Sequence, residues 1–345
     1  MAFSSLPGCA IRAICSSVPP RVFDNLTETT GFDPTEVDKV CKMAGVRTRH
    51  IASESICSSD LCIAAAQRVL NQLQWAPASV DALIFVTQSP DYFLPSNCCL
   101  AHRVLGLSDQ CASFDLGLGC SGYPYALWLA TMMLSGGGLK RILILHGETP
   151  TRFADKSDRA VALLFGDAGS ATALEADPAR GAPVWSFNLH TDGSGWRDLI
   201  VEGGGFRDRV PADASKLFVA MNGANIFNFT IKRIPTLVED TLRNSQTDQE
   251  SIDYFILHQS NLFIMKHLAK KMKISESKMP FTLQRFGSTG GPSVPLTITQ
   301  GELVRPKDRS LKLLLVGYGV GLSWGSALID LPPDAVLDHI VVDLG

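Results

Sequence analysis

Residues 111–134 read CASFDLGLGCSGYPYALWLATMML. The segment runs from a strand-like stretch into a glycine turn that carries Cys120, and from there into a helix that is apolar on every face. A helix without a polar stripe is buried on all sides, and between two sheets it is covered all round. At the start of such a helix, Cys120 meets unpaired backbone N–H groups and the positive end of the helix dipole, both of which favour a thiolate. Glycines at 117, 119 and 122 permit the turn and the close approach of a ligand.

Outward from this segment, apolar runs begin at Asp81 (DALIFVTQ), Lys140 (KRILILHG), Asp253 (DYFILHQ) and Leu311 (LKLLLVGYG), each reading as a buried parallel-type strand. Helical spacing over 59–75, 96–105, 121–134, 223–243, 262–272 and 293–304 alternates with them, the mark of α/β layers. Asp81 and Asp253, Cys120 and Pro292, Lys140 and Lys312, and Gly147 and Gly319 are each separated by the same 172 residues, about half the chain. A constant offset of that length signals duplication. Each copy should run strand, helix, strand, loop, helix, strand, strand, with copies at 1–177 and 178–345 and a linker at 177–183. The partner of the buried helix is then SVPLTITQGEL from Ser293. The expected fold is a duplicated five-layer α/β/α/β/α sandwich with two buried central helices; a single doubly wound sheet with one unusually buried helix is the competing arrangement. The tail AVLDHIVVDLG receives no role.

Composition narrows the function. Hydrophobic residues make up 46% and charged residues 19%, below the usual charged share of about 25%, so much of the chain is core. Thirty-one basic against thirty-four acidic residues, without a block of like charge, recommend neither nucleic acid nor a membrane as partner. No apolar run is long enough to span a bilayer and the first residues lack signal-peptide character, so a cytoplasmic protein is expected. The nine cysteines all fall in the first 120 residues, odd in number and without C-x-x-C spacing, which suits neither a disulfide framework nor a metal site. Free cysteines are most often small core residues; Cys120 is the exception. Neither G-x-G-x-x-G nor a Walker loop occurs.

If a pseudo-twofold axis relates the copies, the strand ends converge, and His258 in DYFILHQSN can face Cys120 as its base. The glycine-rich loop RFGSTGGPSVP offers Ser288, and GYGVGLSWGSA can aim an N–H at an oxyanion. His50, His102, His146, His190, His267 and His339 are taken as surface or structural. Leu118 breaks the G-x-nucleophile-x-G elbow of an α/β-hydrolase.

In order along the chain, AGVRTRHIA (44–52), LPSNCCLAHRVLG (94–106), CASFDLGLGCSGYPYAL (111–127), DKSDRAVALLFGDAGSA (155–171), HTDGSG (190–195), MNGANIF (221–227), HQSNL (258–262), GSTGGPSVPL (287–296) and GVGLSWGSALI (319–329) resemble the thiolase-like condensing enzymes, most closely the β-ketoacyl-acyl-carrier-protein synthase III family. The resemblance implies the duplicated fold, a homodimer, an acyl thioester as substrate, acyl-carrier protein as a partner, and no metal or other cofactor. It implies that Cys120 takes the acyl group, that His258 assists, and that the N–H groups of Cys120 and Gly321 hold the oxyanion. It places Arg152 at the nucleotide or carrier arm, Leu94 where a partner-subunit residue lines the acyl pocket, Gly223 and Phe227 beside the pantetheine channel, and Asn261 and Phe263 among the substrate-binding residues, Phe263 at a position that favours carrier docking. Ser288 replaces the family's asparagine, which with the histidine holds the enolate formed on decarboxylation; a hydroxyl is shorter than an amide. Lys39 and Met43 replace the residues that sandwich adenine, and Phe263 replaces an arginine. Beside condensation with a malonyl-type thioester stand two other readings: transfer of the acyl group to an oxygen, nitrogen or activated carbon acceptor, and a non-catalytic partner subunit.

Overall fold

The computed structural model describes residues 2–7, 9–177 and 183–343. The interior of the expected linker lies outside the described residues. The chain opens with β1 (Ala2–Pro7) and β2 (Cys9–Val18), followed by β3 (Val22–Asp24), α1 (Asn25–Glu28), α2 (Pro34–Ala44) and β4 (Thr48–His50). Then come α3 (Ser58–Leu73), β5 (Ala82–Val86), α4 (Asn97–Leu105), β6 (Ala112–Leu116), α5 (Gly122–Ser135), β7 (Arg141–Glu148), α6 (Arg159–Ala162) and β8 (Ala168–Ala176). The remainder is β9 (Val184–Thr191), β10 (Leu199–Val201), β11 (Val219–Met221), α7 (Gly223–Asn244), β12 (Tyr254–Leu257), α8 (Leu262–Lys271), α9 (Leu283–Phe286), α10 (Ser293–Gln300), β13 (Leu311–Gly319), β14 (Ser323–Leu331) and β15 (Val336–Val341).

Two sheets carry the fold, in the orders β15-β2-β8-β7-β5-β6 and β1-β9-β14-β13-β12. Corresponding strands hold corresponding places, as duplication requires. The five residues of β5 are buried on both faces, as are most of β7 and β13, because each sheet is covered on both sides. Helices α5 and α10 each touch both sheets, α3 and α4 cover the outer face of the first, and α7 and α8 that of the second. The five layers are those expected. Helix α5 is buried through most of its length, Tyr123, Ala126, Leu127 and Ala130 being fully enclosed, and only its last turn surfaces at Met132.

Three features depart from the expected plan. The second copy has the short helix α9 where the first has β6, so β12 ends its sheet. Helix α10 stops at Gln300 because Gly301 follows. The termini also cross the division at 177/178. Strand β1 pairs antiparallel with β9 in the second sheet, and β15 pairs parallel with β2 in the first. The C-terminal tail is thus a sixth strand. It is held by Val342 N–H donating to Val18 O at 2.8 Å and by His339 Nδ1 lying 2.8 Å from Ser16 Oγ.

Val336, Leu337, Ile340 and Val342 pack this strand onto the core. Burying such side chains is worth about 1.5–3 kcal/mol each, and a domain of this size loses about 2–4 °C in Tm per kcal/mol. Truncation after Pro333 should lower Tm by roughly 10 °C or more in a thermal melt; an unchanged melt would show the strand to be dispensable.

Candidate active site

Cys120 lies between β6 and α5, at the carboxyl ends of parallel strands where open α/β sheets place their ligands. It is pressed onto β13 of the other copy. A Cβ on Gly319 would stand 2.8 Å from Cys120 Cβ and 3.1 Å from its Sγ, so only glycine allows the approach. Ser121 Oγ and Ser323 Oγ, 2.5 Å apart, tie the helix start to the first residue of β14. His258 follows β12, which pairs with β13, and its N–H donates to Val316 O at 2.8 Å. The Tyr318 ring of β13 meets the His258 ring edge-on at 5.4 Å, and its phenol feels the charge of a Cys120 thiolate.

His258 is 4% exposed, with Nδ1 2.8 Å from Ser293 Oγ at the start of α10; that hydroxyl oxygen also accepts from Gln259 N–H. Burial pushes the imidazole down to about 4, against hydrogen bonding to the Gly290 backbone. The Cys120 thiol is pushed up to about 12, first by burial and then by the charge of Glu148, although the N–H groups of Val320 and of Cys120 itself favour the thiolate. The helix start therefore does not produce a resting thiolate: desolvation outweighs it, and the pair rests as neutral thiol and neutral imidazole near neutral pH.

Cys120 opens into a cavity of about 980 Å³. Its wall is largely apolar, with Tyr92, Phe93, Phe153, Phe165, Trp196 and the side chains of β10 prominent. Of the residues expected from sequence, Cys120, Gly321 and Arg152 line it. Ser288 is 3% exposed and sits behind the wall, its backbone bridging to Phe165 and its N–H donating to Leu164 O at 2.9 Å. Leu94 is 78% exposed, next in sequence to the lining residues Tyr92 and Phe93. Gly223, Phe227, Asn261 and Phe263 gather instead at the N-terminal ends of α7 and α8, apart from this lining. There the Phe227 and Phe263 rings stack at 5.9 Å and Asn261 Oδ1 caps α8 by accepting from Ile264 N–H.

Arg152 is exposed; its Nη2 donates to the carbonyls of Ser53, Glu54 and Ile56, and Nη1 faces Cys57 Sγ at 3.6 Å, so the guanidinium also secures this loop. Arg159 lies beside α2, the helix bearing Lys39 and Met43, and pairs there with Glu36.

Sequence reasoning missed two buried groups. Glu148 ends β7 and lines the cavity, 4% exposed; its Oε1 accepts from Gln88 N–H and its Oε2 from Ser89 Oγ, both at 2.8 Å. Its signal was its place at the carboxyl end of a parallel strand. His146, set aside as surface or structural, is fully buried on the same strand, stacked on Tyr123, with neither ring nitrogen hydrogen-bonded. Gly291 lets it in, since a Cβ there would overlap its ring. Among the described residues no cluster of metal-binding side chains occurs, and no helix is long and apolar enough to cross a membrane.

Known proteins share this arrangement. Residues 114–193 match the model described as 3-oxoacyl-[acyl-carrier-protein (ACP)] synthase III, and residues 242–331 match its C-terminal counterpart. A β-ketoacyl-[acyl-carrier-protein] synthase III of Xylella fastidiosa (strain 9a5c) is 35% identical over 90% of this chain and 98% of its own. Its counterpart in Xanthomonas axonopodis pv. citri is 32% identical over 91% and 95%. The crystal structure of a 3-oxoacyl-(acyl-carrier protein) synthase from Burkholderia xenovorans LB400 aligns with a TM-score of 0.94 at 39% identity, covering 99% of each chain.

Replacing Gly319 by Ala should displace Cys120 and slow its alkylation by iodoacetamide at least tenfold while the protein remains folded. Intact-mass time courses beside a circular dichroism melt measure this, and an unaltered rate would show that β13 does not position the sulfur.

Proposed function

The chain belongs to the 3-oxoacyl-[acyl-carrier-protein] synthase III family, and from that membership we propose that it loads an acyl group from a thioester onto Cys120 and condenses it with a malonyl-type thioester. The observation that supports this most directly is Cys120 at the head of a buried helix, open to an apolar cavity and pressed onto β13, whose Tyr318 packs against the buried His258 of the other copy. In the first half-reaction Cys120 Sγ adds to the thioester carbonyl. The oxyanion forms between the N–H groups of Cys120 and Gly321, donors fixed in place before the charge develops, and the donor's thiol leaves. In the second, loss of carbon dioxide from the malonyl group generates an enolate, toward which neutral His258 donates a hydrogen bond. The carbanion attacks the acyl carbonyl, the β-ketoacyl thioester departs and Cys120 is restored. The chemistry needs no metal or other cofactor.

Coenzyme A or acyl-carrier protein brings the acyl group, entering past α2, α7 and α8, where Lys266 and Lys270 are exposed. A second copy covers the exposed rim of Tyr92, Phe93 and Leu94, giving a homodimer in which Leu94 faces the neighbouring acyl cavity. Ser288 favours a second reading, transfer to an oxygen or nitrogen acceptor without decarboxylation, because it lacks the amide donor that decarboxylation uses.

Incubation with a panel of acyl thioesters should leave a labile acyl adduct in the intact mass of the parent and none in Cys120→Ala. Adding malonyl thioester should then release carbon dioxide and β-ketoacyl product. Release of gas should rise in Ser288→Asn. An adduct without gas supports the second reading, and no adduct with any donor sinks both.

A further inference from the structure

Resting on the acyl-transfer reading, acyl-enzyme formation leaves one proton without a destination. Cys120 is a neutral thiol, and His258 is a weak acceptor: burial keeps it neutral and its Nδ1 is already engaged with Ser293 Oγ at 2.8 Å. Glu148 stands in the same cavity wall as Cys120, and its carboxylate acts on the thiol strongly enough to oppose its ionisation. The carboxylate is fixed by Gln88 N–H and Ser89 Oγ rather than paired with a cation. Among the described residues Arg152 is the only lysine or arginine of the lining, and its guanidinium is turned to the Ser53–Ile56 carbonyls.

We propose that Glu148 is the proton acceptor for Cys120 during acylation. As the Sγ–C bond forms, the thiol proton passes to the Glu148 carboxylate, directly or through one water in the cavity. When the tetrahedral intermediate collapses and the bond from carbon to the donor's sulfur breaks, the carboxylic acid returns that proton to the leaving thiolate. Acyl thioester and thiol thereby become acyl-Cys120 and free thiol, with the carboxylate restored. Burial, only partly offset by the hydrogen bonds from Gln88 and Ser89, pushes Glu148 up to about 7, which makes it an effective acceptor near neutral pH. Asp167 adds to the upward push, and Cys62 behind the strand also feels the charge of Glu148. The other titratable groups in the lining are Cys57, Asp91, Tyr92 and Arg152. A thiolate and a carboxylate in one apolar wall repel, so the charge of Glu148 opposes ionisation of Cys120.

The test follows the alkylation of Cys120 by iodoacetamide against pH in the parent, Glu148→Gln and Glu148→Asp, together with single-turnover acylation. In the parent the alkylation rate should rise through an inflection near neutrality. Glu148→Gln should lose the inflection and react roughly tenfold or more slowly at neutral pH, with acylation falling by about 100-fold. Glu148→Asp should keep an inflection moved to lower pH. If the glutamine variant reacts as fast as the parent or faster at every pH, the carboxylate is only a repelling charge and the proposal fails. Should that variant not fold, an aspartate variant with an unmoved inflection would overturn it equally. Alkylation needs no acyl donor, so a parent that accepts no thioester defeats the acyl-transfer reading while the role of Glu148 is still decided.

Discussion

The contact of Cys120 with β13 is the constraint on which the rest of the structure turns. A sulfur from one copy rests on a strand of the other, at a distance that no side chain on Gly319 would allow. That contact requires α5 to run between the sheets, and a helix so placed has no solvent face. Its apolar circumference and the glycines of β13 are thus two sides of one packing problem. The same enclosure that positions the sulfur withdraws much of its solvent, which pushes the thiol up although it stands at a helix start.

Enclosure also arranges the chemistry around it. His258 is held neutral and therefore able to donate a hydrogen bond, while Glu148 is held where its proton is exchangeable near neutrality. Opposite shifts arise from one cause, because burial disfavours whichever form carries charge. Cys120 and Glu148 line one apolar chamber and His258 is buried outside that lining, so the charged form of each is disfavoured in its place.

Much of this was legible in the sequence. The 172-residue offset places Ala82 of β5 opposite Tyr254 of β12, and the unbroken apolar character of α5 requires the layers on either side. Cys120 and His258 follow from strand ends that duplication brings together. What escaped did so for definite reasons. Helix α2 carries the Asp33–Pro34 start and the Gly45 stop but only a short apolar stripe. Glu148 and His146 lie on an apolar strand whose periodicity does not reveal which residues reach the cavity. Arg152 matched by position, but only coordinates show which carbonyls hold its guanidinium. The exchanged termini leave no local signal, since edge pairing depends on where a distant sheet happens to end.

That exchange governs how the chain can reach its native state. The first sheet receives an edge strand from residues 336–341, so during synthesis the amino-terminal copy keeps that edge unfilled until those residues have been made. The carboxyl-terminal copy in turn takes a strand from residues 2–7, made earlier and docked only after β9 has emerged. Each copy is thereby completed by a ribbon from the other, and a chain interrupted at its midpoint lacks the strand that covers one edge of its sheet.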